Sequence, residues 1–343
     1  MASESGARGD FFRRYSPPKE WEIKSLGDLA EIVGGGTPSR GESRYWADGN
    51  IPWVTPSDIT ANAGKYLAQT EDQITRAGLL GSAAKLLPIG TVLYTSRATL
   101  GAKAIAARPI ATNQGFASSI ARKGVVDNEY LYYLLDLLLP AVTRLGSGTT
   151  FLEVSKRDLK KVVCALPNIE EQARIASVLA AVDVVIERTT NALTQALNVK
   201  RSLTQALFEG GTCGKPTKKT RVGIVPDSWE VVEVDRVCLA FEYGLSVPMQ
   251  TDGMLPILRM GNIQNGDVRF RDLKYVTLDE KTTRPYLAQR GDVFFNRVNS
   301  QEHVGKVGVY RLDDPSVFAS YLIRVVPNPE LVDGYFLGQL LNA

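Results

Sequence analysis

The organisation of the chain depends on residues 167–211, which read PNIEEQARIASVLAAVDVVIERTTNALTQALNVKRSLTQALFEGG. Pro167 stops the preceding strand, Asn168 is a favourable N-cap, and Glu171 stands at the third helical position, as in a capping box. Apolar residues then recur at spacings near three and four. They are Ile175, Leu179, Val182, Ile186, Leu193, Leu197 and Leu207. The pattern predicts a helix over residues 169–209, ended by Gly210-Gly211 and about 60 Å long. Its apolar face needs a second helix to cover it, as in a coiled coil.

The sequence on the two sides of this helix repeats. Each copy begins at a tryptophan with a proline three positions before it, Trp21 after Pro18 and Trp229 after Pro226. The matched segments are 21–23 with 229–231, 52–59 with 256–263, 90–94 with 291–295, and 130–135 with 335–341. Because four matches in one order are hard to obtain by chance, the sequence predicts two copies of one domain.

Each copy mixes strand and helix signals. Short β-rich runs at 92–95, 116–120, 293–295 and 322–326 are predicted strands, and residues 128–139 are a predicted buried helix. We therefore expect a mixed α/β (α+β) fold. The predicted domains are 1–166, a spacer helix at 167–210, a linker at 211–228, and a second domain at 229–343.

The second copy is shorter than the first. Ala343 corresponds roughly to Leu138, so the equivalent of residues 139–209 is missing from the sequence. Three explanations stay open at this point: a truncated chain, a natural short form, or a chain completed by another polypeptide. Two copies could also pair through the uncovered helix face.

Composition excludes several classes of protein. No apolar run approaches the roughly 20 residues of a membrane span, and the N-terminus has no signal-peptide core. Cys164, Cys213 and Cys238 are widely spaced and His303 is the only histidine, which argues against a disulfide framework and a zinc site. The net charge of +3 does not decide for or against nucleic acid. We expect a cytoplasmic protein without a membrane span or a bound metal.

Several motifs resemble those of one known family, the specificity (S) subunits of type I restriction-modification enzymes. The first copy carries GGGTPS at 34–39, YWADGNIPWV at 45–54, SRATLG at 96–101 and ATNQGF at 111–116. GSGTT at 146–150, Leu166-Pro167 and EQARI at 171–175 resemble the family's passage from a target-recognition domain into its spacer helix. The second copy departs from this pattern, since Gly244-Leu-Ser-Val-Pro replaces Gly36-Thr-Pro.

The resemblance implies a function in restriction and DNA methylation. Two target-recognition domains would each read one half of a split double-stranded DNA target, held apart by a pair of antiparallel helices. Methyltransferase (M) subunits would dock on this frame and methylate adenine with S-adenosylmethionine. A restriction (R) motor-nuclease subunit would join for cleavage. ATP and Mg would likewise be expected only in partner subunits, so we expect this chain to hold no cofactor and to catalyse no reaction.

Polar loops after the predicted strands are the candidate DNA contacts. Arginine can bind guanine with two hydrogen bonds, asparagine and glutamine can bind adenine, and hydroxyl groups suit phosphates. The candidates in the first copy are Thr37, Ser39, Arg40, Arg44, Thr55, Ser57, Ser96, Arg97, Thr99, Asn113 and Gln114. Those in the second copy are Arg259, Asn262, Asn296, Arg297 and Asn299. The alternative is that these are ordinary polar loops, and the four tryptophans are predicted to be core residues.

Catalytic signatures are missing from the sequence. Asn328-Pro-Glu lacks the aromatic residue of an adenine-methyltransferase motif, and Gly214-Lys215 is not part of a complete phosphate-binding loop. The sequence therefore predicts a DNA-recognition subunit whose helix docks partners. The predicted docking positions are Ile175, Leu179, Val182, Ile186, Leu193 and Leu197. The alternative is a truncated docking or regulatory form that binds methyltransferase without reading DNA.

Overall fold

A computed structural model describes residues 17–62, 64–97, 99–146, 153–212, 216–298 and 304–342. The chain divides into two compact units, residues 1–190 (unit 1) and 191–343 (unit 2). Among the described residues, no helix is both long enough and apolar enough to span a bilayer. The domain boundaries predicted from the sequence stay predictions.

Unit 1 mixes helices with three small sheets. Its elements are β1 (Glu22–Ser25), α1 (Leu26–Leu29), β2 (Ala30–Gly34), β3 (Ile51–Val54), α2 (Pro56–Ala61), β4 (Tyr66–Leu67), β5 (Asp72–Ile74), α3 (Arg76–Leu80), β6 (Val92–Tyr94), β7 (Lys103–Ala106), β8 (Ala111–Thr112), β9 (Ala117–Ala121), α4 (Asn128–Leu145), α5 (Lys156–Lys160), β10 (Val163–Leu166) and the start of α6 (Ile169–Gly210). The sheets have the strand orders β2-β9-β6-β7-β4, β5-β3-β8 and β1-β10. Strands β3 and β8 are parallel, and this pairing later positions the site.

Unit 2 continues from the end of α6 with a similar set of elements. They are β11 (Thr217–Thr220), β12 (Gly223–Pro226), β13 (Cys238–Tyr243), β14 (Leu255–Leu258), β15 (Ile263–Gln264), β16 (Asp267–Val268), β17 (Lys274–Val276), α7 (Glu280–Thr283), β18 (Val293–Asn296), β19 (Val307–Val309), β20 (Val317–Phe318), β21 (Leu322–Pro327) and α8 (Gly334–Leu340). The sheets have the strand orders β13-β21-β18-β19-β16-β15, β17-β14-β20 and β11-β12.

The strand orders confirm the repeat. The order β2-β9-β6-β7-β4 of unit 1 reappears as β13-β21-β18-β19-β16 in unit 2, and β5-β3-β8 reappears as β17-β14-β20. The two tryptophans close the same turn, since the Trp21 amide donates to the Pro18 carbonyl and the Trp229 amide to the Pro226 carbonyl. The predicted mixed fold with a long helix is therefore confirmed.

Hydrogen bonds correct two details of the sequence alignment. The N-caps of α4 and α8 are Asp127 and Asp333, so Tyr130 corresponds to Phe336 and not to Tyr335. Gly244 corresponds to Gly35 and not to Gly36, because the amides of the following residues donate to equivalent carbonyls, those of Thr112 and Phe318. Both errors arose because short motifs do not fix an alignment to one residue.

Helix α4 is longer than predicted. The prediction ended it at residue 139, before Pro140, but it continues to Leu145 with Pro140 inside. Proline removes one helical hydrogen bond. Leu138 and Val142 are both fully buried on its inner face. This packing on both sides of the proline outweighs the lost bond.

Helix α6 agrees with the prediction to within one residue at its end. Asn168 Oδ1 accepts the Glu171 amide at 2.9 Å, as an N-cap does. Gly211 ends the helix at φ +66°, a conformation that glycine adopts readily. The predicted apolar positions are exposed further along the helix: Leu179 by 37%, Val182 by 50%, Ile186 by 58%, Leu193 by 60% and Leu197 by 57%, while Ile175 is partly buried.

The start of α6 is anchored by a residue that the sequence analysis missed. Gln172 is 1% exposed, and its side-chain amide donates to the carbonyls of Val125 and Pro167 at 3.1 and 2.8 Å. Its carboxamide oxygen accepts the Asp127 amide at 2.9 Å. Gln172 thus satisfies the backbone on both sides of the helix start.

Unit 2 has an open apolar face where unit 1 is closed. In unit 1, β10 pairs with β1, and Leu26 and Ile32 are 0% and 6% exposed. In unit 2 the equivalents of β1, residues 230–233, belong to no strand of the described chain. Val234 and Phe241, which correspond to Leu26 and Ile32, are 37% and 49% exposed.

Candidate nucleic-acid interface

Four loops of unit 1 meet at the carboxyl ends of β3 and β8. Because these strands are parallel, the residues that follow them lie at one edge of the sheet. The Asn113 amide donates to the Val54 carbonyl at 3.0 Å, and the Gly36 amide donates to the Thr112 carbonyl at 2.9 Å. The loop after β6 joins them, since the Ser96 amide donates to the Gly115 carbonyl at 2.8 Å. The polar loops predicted from sequence therefore form one surface.

Gln114 and Thr37 connect two of these loops. The Thr37 hydroxyl donates to the carboxamide oxygen of Gln114, and both residues are exposed. Asn113 beside them holds the turn, because its carboxamide oxygen accepts the Gly115 amide at 2.8 Å. The Gln114 amide nitrogen has no hydrogen-bond partner among the described residues. This group can donate to an acceptor on a bound molecule.

Arg40 is held above an aromatic pair. Its guanidinium carbon lies 3.8 Å from the centre of the Trp46 ring, and Trp46 meets Trp53 edge to face at 5.1 Å. The guanidinium also pairs with the Asp72 carboxylate. An anion such as phosphate could replace this carboxylate without disturbing the stacking.

Further candidates are exposed, and two of them pair with carboxylates. Arg97 is half exposed, with its Nε 3.7 Å from the Glu153 carboxylate. Arg44 pairs with Glu42 at 3.1 Å. Ser39, Ser57 and Thr99 are also exposed. These contacts are with solvent-exposed partners, which water or DNA can replace at little cost.

Thr55 and Ser96 have structural partners. Thr55 is the N-cap of α2 and forms a capping box with Asp58. Ser96 is only 6% exposed, and its hydroxyl donates to the Gly115 carbonyl at 3.3 Å. Ser96 therefore supports the loop, and its contact with DNA stays a prediction.

Unit 2 forms the equivalent surface with different side chains. The Ala319 amide donates to the Leu258 carbonyl at 3.0 Å, and the Arg297 amide donates to the Tyr321 carbonyl at 3.3 Å. Ala319, Ser320 and Arg297 thus stand where unit 1 has Asn113, Gln114 and Ser96. The exposed Arg297 guanidinium donates to the Ser320 carbonyl and lies 4.8 Å from the Tyr243 ring centre.

Two predicted contacts in unit 2 turn inward. Asn262 is 1% exposed, and its amide donates to the carbonyls of Arg269 and Arg271 while its oxygen accepts the Arg259 amide. Asn296 is fully buried, and its oxygen accepts the Val298 amide at 3.4 Å. Both side chains bind the backbone, which they cannot leave without cost, and their contact with DNA stays a prediction. Asn299 lies outside the described residues.

Arg259 is less exposed than Arg297 but less buried than Asn262. It is partly buried, and its guanidinium donates to the Asp272 carbonyl. Its position corresponds to Thr55 of unit 1, directly after the central strand of the small sheet.

Among the described residues, no group of acidic, histidine or cysteine side chains could hold a metal ion.

A glycine sits at the same point of each surface. A Cβ on Gly35 would lie 2.1 Å from the Asn113 carbonyl oxygen, and a Cβ on Gly244 would lie 2.2 Å from the Phe318 carbonyl oxygen. Each glycine lets the loop that follows β2 or β13 pass directly over the end of the parallel strand β8 or β20.

The chain matches a known protein family over more than half of its length. Residues 18–198 match the model of the type I restriction modification DNA specificity domain. Over 172 residues the chain is 41% identical to the type I restriction enzyme MjaIX specificity subunit of Methanocaldococcus jannaschii, a match that covers 50% of this chain and 39% of that protein. It is 23% identical to the MjaVIII specificity subunit of the same organism over 331 residues, 94% of this chain and 75% of that protein.

Solved structures show the same fold at low sequence identity. One, from work on complex assembly and conformational transition of a type I restriction-modification system, has a TM-score of 0.53 at 19% identity and covers 96% of this chain and 80% of that chain. The S subunit from M. genitalium has a TM-score of 0.55 at 13% identity and covers 96% and 79%.

The extent of the matches differs between relatives. The chain spans 39% of the MjaIX subunit and 46% of the EcoR124I/EcoR124II specificity subunit of Escherichia coli, to which it is 29% identical over 199 residues. The family match includes every loop of the unit 1 surface and the first part of α6. The chain therefore belongs to the family of type I restriction modification DNA specificity domains.

Proposed function

We propose that the chain reads a split double-stranded DNA target, one half with each unit, as the specificity subunit of a type I restriction-modification enzyme. The observation that carries this proposal is the repeated loop surface. Both units place polar loops at the ends of the same pair of parallel strands, yet the exposed side chains differ. Two surfaces with different chemistry suit two different half-targets.

The exposed side chains divide into two roles. Gln114 of unit 1 and Arg297 of unit 2 suit base edges, because a carboxamide can bind adenine and a guanidinium can bind guanine. When the two equivalent surfaces are aligned, these two residues stand at adjacent positions. Arg97 joins Gln114 as a base-reading candidate. Arg40, with Thr37 and Ser39, suits the phosphate backbone, which positions a protein without specifying sequence. Each base contact is worth about 1–3 kcal/mol of discrimination.

Partners supply the chemistry in this proposal. The chain acts without catalysis of its own, and S-adenosylmethionine, ATP and Mg bind only in the methyltransferase and motor-nuclease subunits. The apolar positions of α6 form the docking face, and self-association through that face is a further possibility for the isolated chain. The exposure of Ile186, Leu193 and Leu197 supports a role in docking.

The test is to map N6-methyladenine in DNA after co-expression with a type I methyltransferase subunit that binds the chain. We expect methylation at one split sequence. Gln114→Ala relaxes one half of that sequence and Arg297→Ala the other, each by about tenfold or more. Arg108→Ala is the matched control, because Arg108 is exposed but precedes β8, away from the carboxyl end of the strand.

Each other outcome contradicts the proposal in a recognisable way. A stable complex without methylation would indicate a docking form that does not read DNA. A symmetric target made from one half-site would indicate two copies that pair. Loss of methylation in Arg108→Ala as well would show that the effects are not specific to the surface.

A further inference from the structure

A side chain of α4 holds α6 beyond the part of the helix that is buried in unit 1. Gln172 and Ala176 are buried, and exposure then increases along the helix. The Tyr133 hydroxyl on α4 donates to the Asp183 carboxylate at 2.5 Å. Every residue of α6 from 184 to 190 is exposed. Asp183 therefore gives unit 1 a hold on α6 beyond its last buried residue, Ala176.

Tyr133 is itself held in place by a network of neighbouring side chains. Lys65 donates to the Tyr133 hydroxyl at 3.4 Å and pairs with Glu129 on the same helix. The Tyr132 ring packs edge to face on Tyr133 at 5.2 Å, and the Lys103 ammonium lies 3.8 Å from the centre of the Tyr132 ring. The side chains of Lys65 and Lys103 are only 14% and 8% exposed. This packing fixes the position from which Tyr133 reaches α6.

The protonation of Tyr133 suits its role as donor. Burial and the hydrogen bond to Asp183 raise the pKa of this phenol well above its ordinary value of 10. The hydroxyl therefore keeps its proton at neutral and mildly alkaline pH.

A small rotation about this point has a large effect at the far end of the helix. About 40 Å of α6 follows Asp183, at 1.5 Å per residue. A tilt of about 10° displaces the end of such a helix by about 7 Å, which equals roughly two base pairs of B-DNA. A change of helix direction at Asp183 would therefore move the end of α6 by a distance of about two base pairs.

We propose that Tyr133 and Asp183 form a latch that fixes the direction of α6 relative to unit 1 and thereby sets the number of base pairs accepted between the two half-targets. The second part rests on the proposed function. Both are positioning residues, since neither needs to touch DNA. The latch acts within unit 1, through the hydrogen bond from Tyr133 on α4 to Asp183 on α6.

The first test measures the helix direction without DNA. Spin labels are placed at two exposed positions, Arg108→Cys and Lys200→Cys. The chain also carries Cys213→Ser and Cys238→Ser, whereas Cys164 is kept because it is fully buried. The width of the distance distribution is compared for the parent, Tyr133→Phe and Asp183→Ala. We expect both variants to widen the distribution by about 4 Å for each 10° of freedom gained by the helix.

Two controls separate the latch from general loosening. Asp183→Asn keeps an oxygen that accepts the Tyr133 hydroxyl and is expected to leave the width near that of the parent. Tyr132→Phe removes the hydroxyl of the neighbouring ring and is expected to do the same. Unchanged widths in Tyr133→Phe and Asp183→Ala, or equal widening in Tyr132→Phe, overturn the proposal.

The second test measures the gap directly with the methyltransferase complex. A DNA library holds the two half-sites fixed and varies the gap between them. Relative methylation at gaps one or two base pairs from the preferred length is expected to rise about tenfold in Tyr133→Phe, as expected for the loss of one hydrogen bond to a charged group. If the distance distributions widen but the gap preference is unchanged, the claim that the latch sets the gap is overturned, while the claim that it fixes the helix direction is not. If the parent chain gives no methylation, the proposed function is contradicted instead.

Discussion

Asn262 and Asp58 hold equivalent turns with different side chains. Asp58 accepts the Thr55 amide at 2.7 Å, and Asn262 accepts the Arg259 amide at 2.9 Å. Asn262 also donates to two backbone carbonyls, which a carboxylate cannot do. The same position thus organises the loop after the central strand in both units.

Replacement of Asn262 tests this structural role. Asn262→Ala leaves the Arg259 amide and two carbonyls without their partner, so we expect the free energy of unfolding of unit 2 to fall by about 2–4 kcal/mol. Guanidinium unfolding measures the change. The exposed Ser57→Ala in unit 1 is the control and is expected to change stability by less than about 0.5 kcal/mol. Equal effects of the two replacements would contradict the assignment.

Cys164 gives unit 1 a pH dependence at high pH. Burial raises the pKa of this thiol from 9.0 to about 12. Below pH 9 the thiol is neutral in both the folded and the unfolded chain, so its full contribution to the free energy of unfolding is present. Above pH 9 it ionises first in the unfolded chain, so the free energy of unfolding falls by about 1.4 kcal/mol per pH unit as pH rises towards 12.

The measurement compares guanidinium unfolding of the parent and Cys164→Ala at pH 8 and pH 10.5. We expect the parent to lose about 2 kcal/mol more than the variant between these values. Equal losses would mean that the thiol ionises in the folded protein as readily as in the unfolded chain.

At the level of single residues, the sequence predicted the loops better than the direction of their side chains. Gln114 and Asn262 follow strands and Asn296 is the last residue of β18, but only Gln114 is exposed. An amide that bonds its own backbone and one that faces solvent have the same sequence signature. Tyr133 and Asp183 were missed because their contact joins residues 50 positions apart, which no local pattern encodes.

Among the elements, α6 was the most accurately predicted from sequence. Its N-cap, its periodicity and its terminal glycine are local signals, and they agree with each other. The length of α4 was not predictable in the same way, because packing of Val142 in the core extends it beyond Pro140. Local signals define a helix best where tertiary contacts are few.

Charge placed on the apolar face of α6 tests its proposed docking role. Leu193→Asp together with Leu197→Asp is expected to leave the folded stability within about 0.5 kcal/mol of the parent, because both side chains are largely exposed. Binding to a methyltransferase subunit, or association of two chains, is expected to be lost. Circular dichroism and analytical ultracentrifugation measure the two effects.

A matched pair on the opposite face is the control. Gln195→Asp with Ser202→Asp adds the same charge at exposed positions about half a turn away. This control is expected to keep association intact. If it abolishes association as well, net charge and not the apolar face explains the result.

For the whole molecule, the two copies of one fold are predicted to differ in stability. Val234 and Phe241 of unit 2 are partly exposed, whereas their equivalents Leu26 and Ile32 are buried. Each loses part of the roughly 1.5–3 kcal/mol that full burial of such a side chain supplies. We expect the amides of β13 to exchange hydrogen faster than those of β2, measured in one sample by mass spectrometry. Equal protection would show that the exposed face costs unit 2 nothing.

Gly35 and Gly244, at equivalent points of the two surfaces, limit which mutations the loops can accept. At Gly35 and Gly244 any other residue meets a backbone carbonyl at an impossible distance, so these codons tolerate no amino-acid replacement that keeps the loop path. If the surfaces read DNA as proposed, mutations that alter the bases read are expected in the side chains around this fixed crossing, such as Gln114 and Ser320. Under the proposed function, the two half-targets could then diverge by point mutation in either copy while both copies keep the same backbone.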